Sequence, residues 1–258
     1  MAQSRFMSVA IQAVREAEKT IMAYYSDETS KKISTQQKAD RSPVTEADIK
    51  AEKTIRDVIG TNFPDHGFVG EELGTVNLDS EFKWVIDPID GTKNYARKIP
   101  WFATLLALMH NRELILGVSN APAIRELMYA EKGRGAFLNG KQVYVSKVDN
   151  LAGAYLCFGG LKYFARYGYL PALLSLADST HSSRGIGDFL CYHLLAQGKI
   201  DAMVEPETKF WDIAAFKVIV EEAGGKVTDI HGGKVTENIS SAIATNQHIH
   251  DAVQKFFL

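Results

Sequence analysis

Trp84-Val85-Ile86-Asp87-Pro88-Ile89-Asp90-Gly91-Thr92 is the stretch of this 258-residue sequence that says most about its fold and chemistry. Its apolar first half predicts a buried strand that ends at Asp87. Pro88 presets the backbone dihedral of a β-turn, and such a turn brings its first and fourth residues, Asp87 and Asp90, within roughly 7 Å. The two carboxylates and the Ile89 carbonyl can then face one point. Oxygen ligands of this kind suit Mg²⁺ or another hard cation.

The two residues after this turn extend the predicted site. Gly91 and Thr92 offer backbone N–H groups that can hold a phosphate if a helix begins there. A simpler alternative exists for the aspartates, because aspartates in turns usually accept hydrogen bonds from nearby backbone groups. The turn alone therefore does not decide between a metal site and a structural turn.

Two further acidic segments favour the metal site. Phe68-Val69-Gly70-Glu71-Glu72 places paired acids after an apolar dipeptide, and Phe210-Trp211-Asp212-Ile213 places an aspartate at a predicted helix start. Each has its own structural alternative, since Glu-Glu pairs often lie on solvated faces and aspartates often cap helices. If these segments meet in one cleft, their carboxylates would repel one another unless cations neutralise them.

Hydrophobic periodicity divides the chain into two parts near residue 150. Residues 1–150 read as two helices, 4–25 and about 45–59, followed by a largely antiparallel sheet with strands at 84–87, 103–109, 114–119 and 127–130. Residues 151–258 alternate strands and helices. Strands are predicted at 154–158, 201–205, 226–230 and 241–245, and helices at 164–177, 188–196, 212–223 and from about 248. The fold class is thus α/β (α+β), with an α+β half and an α/β half.

Composition narrows the classes of function. The 29 basic and 31 acidic residues give a net charge of −2, and the sequence contains no basic arm, so we expect no nucleic-acid partner. No apolar stretch approaches the roughly 20 residues that span a bilayer, and no apolar signal core opens the chain. Cys157 and Cys191 lack zinc-site spacing and suit buried free thiols. We therefore expect a cytoplasmic protein with no membrane partner.

Three motifs, taken together in their order and spacing, resemble the inositol monophosphatase family. They are Gly70-Glu71-Glu72, then Asp87-Pro88-Ile89-Asp90-Gly91-Thr92, then Trp211-Asp212 followed by Glu221-Glu222-Ala223-Gly224-Gly225. The similarity extends from about residue 8 to the end of the chain. It implies a layered αβαβα sandwich of the inositol monophosphatase and fructose-1,6-bisphosphatase type. It also implies metal-dependent hydrolysis of a small phosphate monoester, and a homodimer.

The resemblance assigns roles to the acidic residues. It implies one Mg²⁺ site at Glu71, Asp87 and the Ile89 carbonyl, and a second at Asp87, Asp90 and Asp212. Glu71 would reach a third, weaker ion through water, which gives two or three Mg²⁺ ions in all.

Three further positions complete the implied catalytic set. Thr92 and Asp48 would orient the attacking water, and Lys38 matches a family lysine near the metal cluster. Thr45-Glu46-Ala47-Asp48 is equally a capping box for the second helix. A lone loop lysine such as Lys38 is ordinarily just solvated.

The substrate side is read from Arg184, Asp188 and Glu205, which align with family segments that meet the leaving group. Asp188 and Glu205 suit a substrate that carries an ammonium group, because carboxylates bind cations through charge-assisted hydrogen bonds. Two segments, 187–192 and 90–95, resemble the histidinol-phosphatase branch of the family, which predicts histidinol phosphate as the substrate. Asp188 can instead be a helix N-cap.

Other functions stay open at this point. Inositol-1-phosphate hydrolysis with broad tolerance for polyol and sugar phosphates is the alternative within the same chemistry. A nucleotide 3′-phosphate or fructose bisphosphate is disfavoured, because the sequence shows no added basic cluster for a second phosphate. A non-catalytic binding or regulatory protein on the same fold is disfavoured by the complete set of motif residues.

Overall fold

The computed structural model describes residues 3–26, 35–37 and 43–258, and side chains from residue 46 onward as well as those of 3–26. Its helices and strands follow one another in this order along the chain: α1 (Arg5–Ser26), β1 (Thr35–Gln37), β2 (Pro43–Thr45), α2 (Glu46–Asn62), β3 (Gly67–Gly70), β4 (Gly74–Val76), β5 (Phe82–Asp90), α3 (Thr92–Ala96), β6 (Ala103–His110), β7 (Glu113–Ala121), β8 (Glu126–Glu131), β9 (Ala136–Leu138), β10 (Lys141–Val143), β11 (Tyr155–Phe158), α4 (Leu161–Arg166), α5 (Leu170–Asp178), β12 (Ser182–Arg184), α6 (Asp188–Ala196), β13 (Ala202–Glu205), α7 (Phe210–Glu222), β14 (Lys226–Thr228), β15 (Ala242–Thr245) and α8 (His250–Gln254).

Helices α1 and α2 form the first layer and cover one face of the larger sheet. Ala10, Ala13 and Ala17 recur at helical spacing along α1 and are fully buried, so the two helices can approach each other closely. The side chains of strand β5 alternate between the two faces of the sheet under α1 and α2. Trp84 and Ile86 face the α1–α2 layer, whereas Val85 points to the opposite face.

The larger sheet has eight strands in the order β10-β9-β8-β7-β6-β5-β3-β4. Its pairings are antiparallel except for β3 beside β5, which confirms the prediction of a largely antiparallel sheet. The second sheet has five strands in the order β12-β11-β13-β15-β14. There β11 runs parallel to β12 and β13, and β15 runs antiparallel to its neighbours.

Three hydrophobic clusters join these elements into five layers. One lies between the α1–α2 layer and the larger sheet. The next holds residues of the larger sheet, of α6 and α7, and of the second sheet, so these two helices form a central layer. The last packs α4, α5 and α8 on the outer face of the second sheet. The layers therefore run αβαβα, which confirms the predicted fold class.

Several boundaries differ from the sequence predictions. The single helix expected over 164–177 is two helices, α4 and α5, because Gly168 adopts φ +77° between them. Helix α7 begins two residues earlier than expected. Short strands β3, β4, β9, β10 and β12 were not predicted, since three or four residues show too little periodicity for a prediction.

The division of the chain near residue 150 stays a prediction. The larger sheet is built from strands within 67–143 and the second from strands within 155–245. Among the described residues, none of the helices combines the length and apolar character that crossing a membrane requires.

Candidate active site

The site begins where two parallel strands end side by side. Strands β3 and β5 run parallel with Gly70 opposite Ile86, and the Glu71 N–H donates to the Ile86 carbonyl at 3.1 Å. Because the carboxyl ends of parallel strands meet at one edge, Glu71 is brought beside Asp87. Their carboxyl groups share a hydrogen bond, and burial first, then the charge of Glu71, raise the pKa of Asp87.

The expected β-turn at residues 87–90 is instead a bulged strand. Strand β5 continues to Asp90, and its register against β6 shifts between Asp87 and Asp90, which oppose Leu105 and Ala103. Residues three apart on a regular strand point to opposite faces, but the extra residue in β5 turns Asp87 and Asp90 toward the same face. Both carboxylates therefore reach the same cavity. The Asp87 Oδ1 atom also accepts from the Ile89 N–H at 3.0 Å.

A short helix follows the bulge. Gly91 takes φ +82°, and a Cβ atom there would lie 2.7 Å from the Trp101 carbonyl, so a side chain would not fit. Helix α3 then begins at Thr92, as the proposed phosphate-binding role requires. The Thr92 hydroxyl donates to the Ile89 carbonyl at 3.0 Å, which fixes the hydroxyl beside the predicted metal ligands.

Asp212 comes from the central helical layer. It lies in the first turn of α7, where its Oδ2 atom accepts from the Lys209 N–H at 2.8 Å and from the Thr208 hydroxyl at 3.3 Å. Asp212 therefore stabilises the start of the helix and also lines the cavity. The helix-cap alternative and the metal-ligand prediction are compatible at this residue.

The structure brings eight predicted site residues to one cavity of about 170 Å³, and one of them, Asp188, had been predicted on the substrate side. Lys93 shares the lining with them and was not predicted. The lining residues are Glu71, Asp87, Ile89, Asp90, Gly91, Thr92, Lys93, Asp188 and Asp212.

The carboxylates in this cavity hold protons more tightly than ordinary acids. Burial, followed by the charges of neighbouring acids, raises the pKa of Asp87 and of Asp90 well above the usual range. Burial is also the main cause that raises the pKa of Asp212 to about 7. Crowded carboxylates that repel one another are the environment that a divalent cation would neutralise.

The oxygen donors in the cavity suit hard cations, although the carboxylate side chains do not converge on a single point. No group of three or more His, Cys, Asp or Glu side chains within the described ranges already stands in a geometry that could hold a metal ion. The oxygen donors of Glu71, Asp87, Asp90 and Asp212 nonetheless line one cavity.

Asp188 is held in an unusual backbone conformation at the start of α6. It takes φ +52°, which is uncommon outside glycine, and its side chain does not cap the helix. Instead, Asp188 Oδ2 accepts from the Asn94 side-chain amide at 3.1 Å. The next N–H, of Phe189, donates to Asp90 Oδ2 at 2.7 Å. The N-cap alternative for Asp188 is therefore wrong.

Glu205 lies at the end of β13 and accepts a 2.6 Å hydrogen bond from the Tyr192 hydroxyl. Burial raises the pKa of Glu205 to about 8, and the charge of Asp188 adds to the rise. The two acids are thus electrostatic neighbours, with Asp188 on the cavity wall and Glu205 outside the set of lining residues.

Two further predicted residues, Arg184 and Asp48, do not line the cavity. Arg184 is exposed at the end of β12, where it bonds Ser182 and Ser183 and lies 5.7 Å from the Tyr155 ring, and it does not line the cavity. Asp48 is buried in the first turn of α2. Burial, and then the charge of Asp48, raise the pKa of Tyr95 on α3. Asp48 therefore lies near the helix that begins at Thr92. Lys38 lies outside the described residues.

Sequence reasoning did not assign a site role to Lys93, Asn94 or Tyr192. Lys93 lines the cavity. Burial raises the pKa of Asp188, and the charge of Lys93 opposes this rise in part. The signal for Lys93 and Asn94 was their position directly after Thr92, where a short helix would keep them at the site. Tyr192 carried no such signal, because an apolar helix face predicts only burial.

Comparison with known proteins shows the family of the chain. The sequence profile described as the inositol monophosphatase family matches residues 2–256. The chain belongs to this family. Histidinol-phosphatase of Mycobacterium tuberculosis is 39% identical over 227 residues, which cover 84% of this chain and 85% of that protein. Inositol-1-monophosphatase of Rhizobium meliloti is 34% identical over 260 residues, 99% of this chain and 97% of that protein.

A solved structure supports the same conclusion. Extragenic suppressor protein suhB of Bartonella henselae superimposes with a TM-score of 0.91 at 31% identity and covers 98% of both chains. Family membership and the relatives together identify the protein as a phosphoric monoester hydrolase.

Proposed function

We propose that this enzyme hydrolyses histidinol phosphate to histidinol and phosphate with the help of bound Mg²⁺. The observation that carries the proposal is the position of Asp188, a carboxylate on the wall of the cavity that the candidate metal ligands also line. A carboxylate there favours a leaving group that carries a positive charge. The 39% identical relative named histidinol-phosphatase supports the same substrate.

The candidate ligands divide as the family resemblance implies. Glu71, Asp87 and the Ile89 carbonyl would hold one Mg²⁺ ion, and Asp87, Asp90 and Asp212 a second, with a third reached from Glu71 through water. When bound, such ions lower the pKa of a coordinated water and stabilise the negative charge on phosphate oxygens. The raised pKa values of Asp87, Asp90 and Asp212 support this assignment, because cations would relieve their repulsion.

The chain's own groups would orient the reactants. The N–H groups after Gly91, at the start of α3, would bind the phosphate, and Lys93 adds a positive charge on the same wall. Thr92 and Asp48 would orient the attacking water, since Asp48 is buried near α3. Glu71 would accept the proton of that water. Phosphoryl transfer needs little beyond such positioning and charge neutralisation.

The leaving group would lie toward α6. Asp188 would accept a hydrogen bond from the ammonium or imidazolium group of histidinol, while Asn94 holds its other side in place. Glu205 would add negative charge behind it, and Tyr192 orients the Glu205 carboxyl. A substrate cation would favour the ionised form of both acids and so oppose the rise of their pKa values. Arg184 is not needed in this arrangement.

The proposed substrate implies a cellular role. Histidinol is a precursor of histidine, so the enzyme would act in histidine biosynthesis in the cytoplasm, and we propose that it works as a homodimer. Size-exclusion chromatography with light scattering tests the dimer, and loss of histidine-independent growth on gene deletion tests the biosynthetic role.

Inositol-1-phosphate is the second candidate substrate. The inositol-1-monophosphatase of Rhizobium meliloti aligns with 99% of this chain, a larger share than the histidinol-phosphatase of Mycobacterium tuberculosis does. An inositol ring is neutral and needs hydroxyl partners, which Asp188 and Asn94 can also supply.

One comparison of rates tests the proposal. Phosphate release is measured from histidinol phosphate and from inositol-1-phosphate, each with Mg²⁺ and with excess chelator. We expect a higher kcat/KM for histidinol phosphate and loss of both activities in chelator. Equal values, or a preference for inositol-1-phosphate, would move the assignment to the second candidate. Full activity in chelator would overturn the Mg²⁺ assignment.

A further inference from the structure

A buried carboxylate on α2 contacts the loop that carries Glu71. Glu52 is fully buried, and its Oε2 atom accepts from the Glu72 N–H at 2.8 Å. Its Oε1 atom accepts from the Leu73 N–H at 3.3 Å. One carboxylate thus binds the two N–H groups that directly follow Glu71 in the loop between β3 and β4.

An arginine one turn further along α2 completes this contact. Arg56 Nη2 lies 2.6 Å from Glu52 Oε1 and donates to the Gly74 carbonyl at 2.5 Å. The guanidinium therefore joins the Glu52 carboxylate to the end of the loop. Burying a carboxylate costs free energy unless it is paired and hydrogen-bonded. Glu52 has both an arginine partner and two N–H donors, and these contacts stabilise its buried carboxylate and fix its position.

Gly70 shows how closely α2 approaches the loop. A Cβ atom at position 70 would lie 1.9 Å from Glu52 Oε1 and 2.5 Å from Arg56 Nη2. The residue before Glu71 must therefore be glycine for the Glu52 carboxylate to reach the loop. On its other side, the loop is anchored by the hydrogen bond from the Glu71 N–H to the Ile86 carbonyl.

We infer that Glu52 is a positioning residue for Glu71, and that it sets the affinity of the site for divalent cations without being a ligand. The inference rests on the proposed function, in which Glu71 binds Mg²⁺. With strand β5 on one side and Glu52 on the other, the backbone of Glu71 has little freedom to turn its carboxylate away from Asp87. Groups that orient metal ligands in this way commonly change metal affinity by 10–100-fold.

Helix α2 extends this role to the attacking water. Asp48 and Glu52 are four residues apart, so they lie on one face of α2 at successive turns. Both are buried. A single rigid helix thus sets the position of the proposed water-orienting group and that of the loop bearing Glu71. A shift of α2 would displace both together.

Glu52→Gln removes the charge and keeps the size of the side chain. Mg²⁺ and Mn²⁺ binding is measured by titration calorimetry, together with the melting temperature in chelator and kcat at saturating Mg²⁺. We expect at least a tenfold weaker Mg²⁺ affinity, with kcat at saturation reduced less than the affinity. Hydrogen exchange at the Glu72 and Leu73 amides should become faster.

Asp201→Asn is the matched control. Asp201 is also a buried carboxylate, 4% exposed, and it accepts from a backbone N–H, that of Tyr155, at 2.6 Å. It lies at the second sheet, outside the cavity lining. We expect Asp201→Asn to lower the melting temperature without changing Mg²⁺ affinity. Equal Mg²⁺ affinity in Glu52→Gln and the parent, or an equal loss in Asp201→Asn, would overturn the inference.

Gly70→Ala is the second variant, for use if Glu52→Gln does not fold. It keeps the Glu52 carboxylate but forces it away from the loop, and we expect the same selective loss of cation affinity. An unchanged affinity would again overturn the inference. Failure of the proposed function is a different outcome, because the parent itself would then bind no divalent cation.

Discussion

Asn94 and Asp188 lie 94 residues apart in the sequence, yet the Asn94 amide donates to Asp188 Oδ2 at 3.1 Å. This bond joins α3, which begins at the proposed phosphate-binding position, to α6, which carries the proposed leaving-group residue. The Asn94 amide thus holds the Oδ2 atom of Asp188 in place. In the proposed arrangement, the two ends of the substrate would therefore be bound by two helices that are in direct contact.

Asp188→Asn tests the charge at this position. Removing one partner of a buried charged pair typically costs about 2–5 kcal/mol, so we expect kcat/KM for histidinol phosphate to fall roughly 30-fold or more. A neutral polyol phosphate should lose only a few-fold, because an amide still bonds hydroxyl groups. Asp149→Asn is the control, because Asp149 is an exposed aspartate that accepts a hydrogen bond from the Asn150 side chain. Equal losses on both substrates would mean that the Asp188 charge does not select the substrate.

Asp90→Asn tests the metal site. The change is nearly isosteric, and an asparagine oxygen can still accept from the Phe189 N–H, so the fold should persist. We expect the Mg²⁺ affinity and the rate to fall about 100-fold or more, on the order of 3 kcal/mol in the barrier. Circular dichroism checks the fold. A variant as active as the parent at low Mg²⁺ would remove Asp90 from the ligands.

Cation binding should depend on pH. Mg²⁺ binds ionised carboxylates, and the pKa of Asp212 is about 7 without metal. Protons therefore compete with the cation at low pH, and the apparent Mg²⁺ affinity should rise as the pH increases from about 6 to 8. Calorimetry in buffers of different ionisation enthalpy should show proton release. An affinity that is flat over this range would contradict the raised pKa.

Ca²⁺ and Li⁺ should inhibit the enzyme, the latter as the family resemblance implies. Ca²⁺ is larger and accepts flexible coordination, whereas Mg²⁺ requires short, near-octahedral contacts. Ca²⁺ should therefore occupy the carboxylates but place the phosphate poorly. Rates are measured at fixed Mg²⁺ with increasing Ca²⁺ or Li⁺. Undiminished turnover with Ca²⁺ in place of Mg²⁺ would count against the proposed site.

His250 should make the fold sensitive to acid. Burial lowers its pKa to about 4, and its ring nitrogens bond the hydroxyls of Thr228 and Thr245 at 3.0 Å. Between pH 6.5 and 4 the unfolded chain binds a proton that the folded chain does not. The stability from neutral His250 is thus complete above about pH 6.5 and is lost as the pH falls toward 4, on the order of 2 kcal/mol.

His250→Gln is the variant that isolates this effect. Urea unfolding of the parent and the variant is compared at several pH values, since the difference between them removes the contribution of the buried carboxylates. Those carboxylates have raised pKa values and change stability in the opposite direction. We expect the parent's advantage to shrink as the pH falls. A constant difference would show that His250 does not titrate as described.

The sequence predicted the parts of the site that are carried by local patterns. Helices α1 and α2, strands β5 to β8 and the order of the acidic motifs followed from periodicity and spacing. The bulge in β5 did not, because a proline between two aspartates is compatible with a turn or with a strand, and pairing with β6 decides between them. Helices α4 and α5 separated for a similar reason, since Gly168 permits either a continued or a broken helix.

Sequence alone predicted that Asp87 and Asp90 face one site that suits a hard cation, because residues three apart in the chain have few geometries open to them, and the family resemblance added Glu71 and Asp212. Tertiary structure decided which other residues reach them. Glu52 contacts the Glu71 loop from 20 residues away, and Asn94 contacts Asp188 from 94. No local pattern encodes such contacts. They form only when helices and strands from distant parts of the chain pack into layers, and burial then fixes the charge state of each group.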